Sequence, residues 1–282
     1  MSVIKESKVM LNGLELNYAE AGSGTPMIFM HNGGGFWQSW KRQLEYFSRN
    51  YHVYGLDWPG FGESQAPEGL VTLELLSATL KEFISLLNTD KVILVGNCIG
   101  ASAALHFANR FPQKVEKLLL FNICPGDLIF PHGYLRPVIR QLGRSAVLRA
   151  GAGTVIRFAF TKTPVRKKFP SILFSKEFSK DDDLFRTYVM KNKTKKQNAA
   201  RTNQVFSVHT FRLDRFIPGA EVFPHILVWG EKNSVISLEQ HGYFSREILQ
   251  PVSFLTVPDA GHLCMYEQPD YVNKIIINYL NS

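Results

Sequence analysis

The stretch Val92-Ile93-Leu94-Val95-Gly96-Asn97-Cys98-Ile99-Gly100-Ala101-Ser102-Ala103-Ala104-Leu105 constrains the fold more than any other part of the chain. An apolar run stops at one small polar knot and resumes with helical spacing, which predicts a buried strand, a sharp turn and a helix. Gly96 and Gly100 flank Cys98 as G-x-C-x-G and remove side chains where strand and helix must cross closely. The residue between them is then held in a strained conformation, with its thiol above the edge of the sheet. A sulfur at the amino end of a helix beginning near Ile99 meets unpaired backbone N–H groups and the helix dipole, both of which favour thiolate over thiol. A buried core cysteine in a tight turn fits the pentapeptide equally well, so the rest of the chain has to decide between the two.

The flanking sequence supplies what a reactive turn needs. Leu14, Leu16 and Tyr18 alternate with polar neighbours as in a half-exposed strand, and Pro26-Met27-Ile28-Phe29-Met30 reads as a buried one. The latter ends in His31-Asn32-Gly33-Gly34-Gly35, where glycines let backbone N–H groups come close to a ligand such as an oxyanion. Helical spacing runs through Trp37, Trp40, Leu44 and Phe47, Val53 to Leu56 is a short strand, and Asp57-Trp58-Pro59-Gly60-Phe61-Gly62-Glu63-Ser64 is a turn cluster. Leu73, Leu76, Leu80, Phe83 and Leu87 share one helical face before the strand at 92. Strands alternating with helices in this order predict right-handed crossovers and a mostly parallel sheet.

These motifs resemble those of the α/β-hydrolase superfamily. His31 to Gly35 resembles its His-Gly oxyanion loop, Asp57 to Ser64 its D-x-P-G-x-G-x-S turn, and Gly96 to Gly100 its G-x-S-x-G nucleophile elbow. The similarity resumes at His225 to Asn233 and at Val257-Pro258-Asp259-Ala260-Gly261-His262, so it covers about residues 10–122 and 223–282. The resemblance implies an α/β-hydrolase fold, a mostly parallel central sheet flanked by helices, with residues 1–122 and 223–282 as the core and 123–222 as a helical cap. It also implies an enzyme without metal or organic cofactor.

Two departures bear on the chemistry. The usual serine is Cys98, and the usual aspartate after the strand at 225–229 is Asn233. At a second acid location used by some members, the end of the strand 115–121, stands Asn122, with Asp127 five residues on. The departures are mutually consistent. A serine must lose its proton during attack, and a carboxylate stabilises the resulting imidazolium; a thiol can ionise beforehand, so the third residue need only orient the ring, as the amide does in papain-like Cys-His-Asn proteases. Cys98 is therefore expected to be the nucleophile, His262 its base and acid in a thiolate/imidazolium pair, and Asn233 the orienting residue, with Asp127 or Glu231 as alternative acids. By position, the oxyanion donors are the backbone N–H groups of Ile99 and of Gly33 or Asn32. His31, at a strand end before the glycines, is expected to be structural.

Residues 123–222 depart from the strand and helix alternation. Between 130 and 215 ten Arg and nine Lys face one Glu and four Asp, a net +14, while the rest of the chain carries −6. Such asymmetry draws anions toward a nearby site, although runs such as Arg166-Lys167-Lys168 are also what a solvated face looks like. Phe158, Phe160, Phe169, Phe174, Phe178 and Phe185 are interleaved with the charges and read as a small core. Phe158 and Phe160, together with Phe36 and Trp37, are the candidates for lining an acyl group. An anionic small-molecule or carrier-bound acyl ester or thioester fits a basic cap with an apolar interior, as does an anionic membrane surface. Nucleic acid does not, since no groove-entering helix or RNA-binding signature accompanies the charge.

No apolar run approaches the roughly 20 residues needed to span a bilayer. Lys5, Glu6 and Lys8 break up the first residues, so no signal-peptide block is seen, and the three cysteines, with no C-x-x-C pair, suit a reducing compartment. A cytoplasmic protein is expected. Three functions remain open: hydrolysis of an ester or thioester through an S-acyl intermediate; transfer of that acyl group to an amine, hydroxyl or thiol; and a silent hydrolase-fold binding protein that keeps only the pocket.

Overall fold

The computed structural model describes residues 3–129, short pieces between 137 and 154 (137–138, 141, 144–145, 147–148, 151 and 154), 171–178, 182–191, 195–213 and 223–282. Eight strands form one sheet: β1 (Lys5–Leu11), β2 (Leu14–Ala21), β3 (Pro26–Met30), β4 (His52–Leu56), β5 (Val92–Asn97), β6 (Val115–Phe121), β7 (Ile226–Gly230) and β8 (Ser253–Val257). Their spatial order is β1-β2-β4-β3-β5-β6-β7-β8. The β1/β2 and β2/β4 pairs are antiparallel and every other pair is parallel, which is the mostly parallel sheet that the motifs imply.

In the central strands β3 and β5 successive residues are buried on both faces, which leaves the near-continuous apolar runs Met27–Met30 and Val92–Val95. In β3, Ile28 and Met30 join one buried cluster and Met27 and Phe29 the other. The first cluster is closed by α2 (Leu73–Leu86) and α3 (Ile99–Arg110), the second by α1 (Lys41–Phe47) and α7 (Pro269–Leu280). Helix α2 starts where Thr72 Oγ1 accepts from the Leu75 N–H at 3.2 Å, and it buries Leu73, Leu76, Leu80 and Phe83 on the predicted face. The helical spacing from Trp37 resolves into a 3-10 turn, Trp37–Trp40, before α1. No side chain caps that turn; the buried Asp57 carboxylate instead accepts the Trp37 N–H at 2.7 Å.

Between β6 and β7 the described residues include α4 (Asp183–Lys191) and α5 (Lys195–Ser207), with a 3-10 turn at Val208–Phe211. Helix α6 (Tyr243–Leu249) follows β7. No helix among the described residues is long and apolar enough to cross a membrane. His31, Asp57, Cys98, Asn122, Asn233 and His262 all lie at or just beyond the carboxyl ends of their strands, at one edge of the sheet, where loops from several strands converge.

Candidate active site

The elbow is built from two close approaches. A Cβ on Gly96 would lie 2.5 Å from the Ala101 nitrogen, and one on Gly100 would lie 2.5 Å from the Met30 carbonyl oxygen, so neither position tolerates a side chain. Cys98 between them has φ 57 and ψ −114, a conformation that costs a non-glycine residue on the order of 1–3 kcal/mol and persists because the surroundings impose it. Its N–H donates to the Phe121 carbonyl at 2.9 Å and its carbonyl accepts from Ser102, which fixes the direction of the side chain. Cys98 is half-buried at the N-cap of α3, in front of N–H groups that have no acceptor within the helix.

Three neighbours favour the ionised sulfur: the Cys124 thiol, the His262 ring and the Gly33 N–H. Together they hold the Cys98 thiol well below its usual range. The hydrogen bond with Cys124 contributes most and outweighs the upward push of burial, followed by His262 and then Gly33. Cys264 is the contrast, since burial pushes its thiol up to about 12.

His262 is buried, and its Nδ1 lies 3.1 Å from Asn233 Nδ2. Asn233 in turn donates to Asn122 Oδ1 at 3.0 Å and accepts, through its own Oδ1, the N–H groups of Val235 and Ile236 at 3.0 and 3.1 Å. Asn122 Oδ1 also accepts from Gly230 N at 3.0 Å, while Asn122 Nδ2 donates to Asn97 Oδ1 at 3.0 Å and to the His262 carbonyl at 3.2 Å. Asn97 Nδ2 donates to that same carbonyl at 3.1 Å. Three buried asparagines from the ends of β5, β6 and β7 therefore form one continuous amide network. Among the described residues no carboxylate is hydrogen-bonded to the histidine ring.

The loop after β3 supplies the opposite wall. The Gly33 N–H helps to lower the Cys98 thiol, and Ile99 heads α3 next to Cys98, so both nominated backbone donors lie near that residue. Asn32 is spent on the loop itself: its Nδ2 donates to the Gly33 carbonyl at 3.1 Å, and its Oδ1 accepts from the Tyr188 hydroxyl at 3.2 Å. His31 is structural as expected, because Trp58 N–H donates to its Nε2 at 3.0 Å and its Nδ1 lies 2.7 Å from the Asn32 carbonyl. Phe36 and Trp37 are buried in the cluster beneath α1, Phe36 with its ring 4.5 Å from that of Tyr188, which gives both a packing role.

Glu231 does not reach the ring. Its N–H still pairs with the Val257 carbonyl as a continuation of the β7/β8 ladder, which turns the exposed side chain outward to accept from Thr256 Oγ1 at 2.8 Å. The Asp127 side chain, Phe158, Phe160 and Arg166 to Lys168 lie outside the described residues. Phe174, Phe178 and Phe185 do cluster, Phe174 stacking on Phe178 at 4.6 Å and lying 5.7 Å from Phe185. Asn97 and Cys124 escape sequence reasoning as site residues. Asn97 is the last residue of β5 and Cys124 stands three residues past β6, and only the fold shows that both turn toward the centre.

The segment between β6 and β7 is tied to the loop that carries His262 by one main-chain bond and one carboxylate bridge. Leu263 N–H donates to the Leu173 carbonyl at 3.0 Å, and the Glu267 carboxylate bridges the N–H groups of Ser175 and Gly261 at 2.8 and 2.9 Å. Burial raises the Glu267 carboxyl above its usual range even with those donors.

A sequence model of the alpha/beta hydrolase family matches residues 27–275. Among characterised proteins, epoxide hydrolase 4 of Mus musculus is 26% identical over 96% of this chain and 77% of its own length. The 2-hydroxy-6-oxo-6-(2'-aminophenyl)hexa-2,4-dienoic acid hydrolase of Metapseudomonas resinovorans is 26% identical over 99% of this chain and 92% of its own length. Among solved structures, a thermophilic esterase from Thermogutta terrifontis superposes with a TM-score of 0.77 at 21% identity, covering 100% of this chain and 98% of that one, a likeness of fold.

Proposed function

We propose, from the premise that this chain belongs to the alpha/beta hydrolase family, that it hydrolyses an ester or thioester through an S-acyl intermediate on Cys98. The chain is an enzyme of the hydrolase class; the nucleophile and substrate are our reading. The observation that carries it is the Cys98 sulfur, held in a strained elbow at a helix amino end with His262, Cys124 and the Gly33 N–H as partners. A structural cysteine has no need of this arrangement, whereas a lowered thiol beside a histidine at a helix amino end suits a nucleophile. The attacking sulfur forms a bond to the acyl carbon, and the carbonyl oxygen then takes up charge against the N–H groups of Gly33 and Ile99. Asn233 sets the position of the His262 ring. The names of the relatives span epoxides and dienoic acids, and none of those substrates is transferred to this chain.

Transfer of the acyl group to a thiol or amine is the second reading. It is favoured by the S-acyl intermediate itself, a thioester that amines and thiols attack more readily than they attack an oxygen ester. The net +14 between 130 and 215 fits an anionic donor or carrier in either case.

Incubation with p-nitrophenyl butyrate and a butyryl thioester, followed by intact mass and peptide mapping, tests the reading. An acyl group on Cys98, absent in Cys98→Ala, is the expected result. Turnover without any Cys98 adduct, unchanged in that variant, overturns it.

A further inference from the structure

Resting on the S-acyl reading above, we infer that Asn233 inverts the usual direction of the hydrogen bond at the histidine, fixing the His262 proton on Nε2, and that the site is thereby restricted to acyl donors whose leaving group departs as an anion, thioesters foremost. Asn233 is on this view a positioning residue that selects the substrate class through His262.

The direction follows from atoms that have no alternative. An amide nitrogen donates and cannot accept, so at 3.1 Å from Asn233 Nδ2 the His262 Nδ1 must be the acceptor. Turning the amide over would place its NH2 against the N–H groups of Val235 and Ile236, which now reach Asn233 Oδ1 at 3.0 and 3.1 Å. It would also place its oxygen against Asn122 Oδ1, itself held by the Gly230 N–H. Turning Asn122 over as well would lose its bonds to Asn97 Oδ1 and to the His262 carbonyl. Backbone on one side and the amide network on the other thus fix both hydrogens of Asn233, one on Asn122 and one on His262. A neutral ring that accepts at Nδ1 carries its proton on Nε2, the nitrogen left to face Cys98. The thiolate/imidazolium pair expected from the sequence needs a proton on Nδ1 as well, where the Asn233 NH2 already stands. The pair is therefore replaced by a thiolate that has lost its proton to solvent and accepts from a neutral Nε2–H, so the water that later takes the acyl group also passes its proton to solvent and not to His262.

The bookkeeping of acylation then separates donor classes. With a thioester, the Cys98 sulfur adds to the acyl carbon, forming the new C–S bond and moving the carbonyl pair onto oxygen. Collapse restores the C=O and breaks the bond to the old sulfur, which leaves with its electron pair as a thiolate. No proton moves in either half, and a thiol with pKa about 8.5 is a competent leaving group in that state. An alkyl ester or an amide must lose an alkoxide or amide anion, which departs only with a proton. The one proton facing the leaving group is Nε2–H, and giving it up with Nδ1 unprotonated would make an imidazolate. General-acid help, ordinarily a factor of about 10²–10⁴, is therefore withheld from those donors.

Three butyryl donors test this on the full-length protein: the N-acetylcysteamine thioester, the p-nitrophenyl ester and the ethyl ester. Acylation of Cys98 is followed by mass in single-turnover experiments, alongside a series of aryl esters of graded leaving-group acidity. The expected wild-type result is rapid acylation by the first two donors, little by the third, and a steep dependence on leaving-group acidity. In Asn233→Asp, and to a smaller extent in Asn233→Ala, Nδ1 regains its proton; the dependence should flatten and the ethyl ester gain on the thioester by about 10²-fold. Long-range ¹⁵N NMR of histidine-labelled wild type should show the His262 proton on Nε2, a readout that needs no variant and that a purely structural Asn233 would not set. A wild-type proton on Nδ1, or equal slopes in all three proteins while acyl-Cys98 still forms, overturns the inference. Absence of acyl-Cys98 with every donor would instead overturn the reading on which it rests.

Discussion

Cys98 stands at the amino end of a helix with a thiol, an imidazole and a backbone N–H on its sulfur, whereas the far side of His262 meets Asn233, Asn122 and Asn97 in series. One half of the site is arranged to hold an anion; the other is a neutral lattice of three amides, each bonded to the next. In a serine triad the negative charge lies beyond the histidine and is called on when the ring becomes cationic. On the proposed reading the charge is on Cys98 itself from the start. The difference teaches that Ser to Cys and Asp to Asn are one change in two places, because moving the anion from one side of the ring to the other makes the carboxylate unnecessary.

The most direct way to break this comparison is to put the charge-poor nucleophile back. A hydroxyl at 98 needs a base at Nε2, which the amide-set tautomer withholds, and an asparagine in place of the aspartate costs oxygen nucleophiles about 10⁴-fold in kcat. Cys98→Ser should lose at least that much on p-nitrophenyl butyrate. A serine variant within tenfold of the wild type would show that His262 is an ordinary base.

The next test sharpens the contrast between thiols. At pH 6.5 iodoacetamide should modify Cys98 about 10³-fold faster than Cys264, whose buried thiol is pushed up to about 12. A thiol held low in the folded state gains its stabilising ionisation above the unfolded value and loses it as pH falls through the folded one. Cys98 labelling should therefore persist below pH 7, where an ordinary thiol has stopped reacting. Peptide mapping reads the sites, and equal labelling of the two would remove the special character of the elbow. The smallest effect belongs to the neutral side. Asn122→Ala strands the Gly230 N–H and one Asn233 hydrogen in the interior, which should cost about 1–3 kcal/mol in urea unfolding. An unchanged midpoint would mean that the lattice is not held together as a unit.

Much of the nucleophile side was legible in the sequence, because a glycine spacing reports backbone conformation and close approach directly. Gly96 and Gly100 announce the elbow, and Gly261-His262 follows a recognisable strand. The hairpin of β1 and β2 was missed although Asn12-Gly13 signals it; their φ values of 48 and 74 are those of a tight two-residue turn. Lys5, Glu6 and Lys8 of β1 hid it, since an edge strand with exposed residues lacks a buried strand's apolar run. Glu231 was a reasonable acid by distance along the chain and fails because strand pairing continues one residue further than expected. The amide network could not be read at all. Which way an asparagine faces is decided by Val235, Ile236 and Asn122, brought together from separate loops, and sequence proximity carries no trace of that orientation.

The bridge made by Glu267 has a consequence for the modularity of such enzymes. One carboxylate holds Ser175 of the insertion and Gly261 beside the histidine, and the Leu263 to Leu173 bond runs parallel to it, so this part of the insertion and the histidine's loop are stitched into a single piece. Helix α4, by contrast, meets the glycine loop through a hydroxyl, Tyr188 to Asn32 and Ser39, a junction that point changes can redraw. Anyone transplanting this insertion onto another hydrolase body would have to carry Glu267 and the histidine's loop along with it. The exchangeable cassette is thus larger than the gap between β6 and β7, and it includes the loop that carries His262.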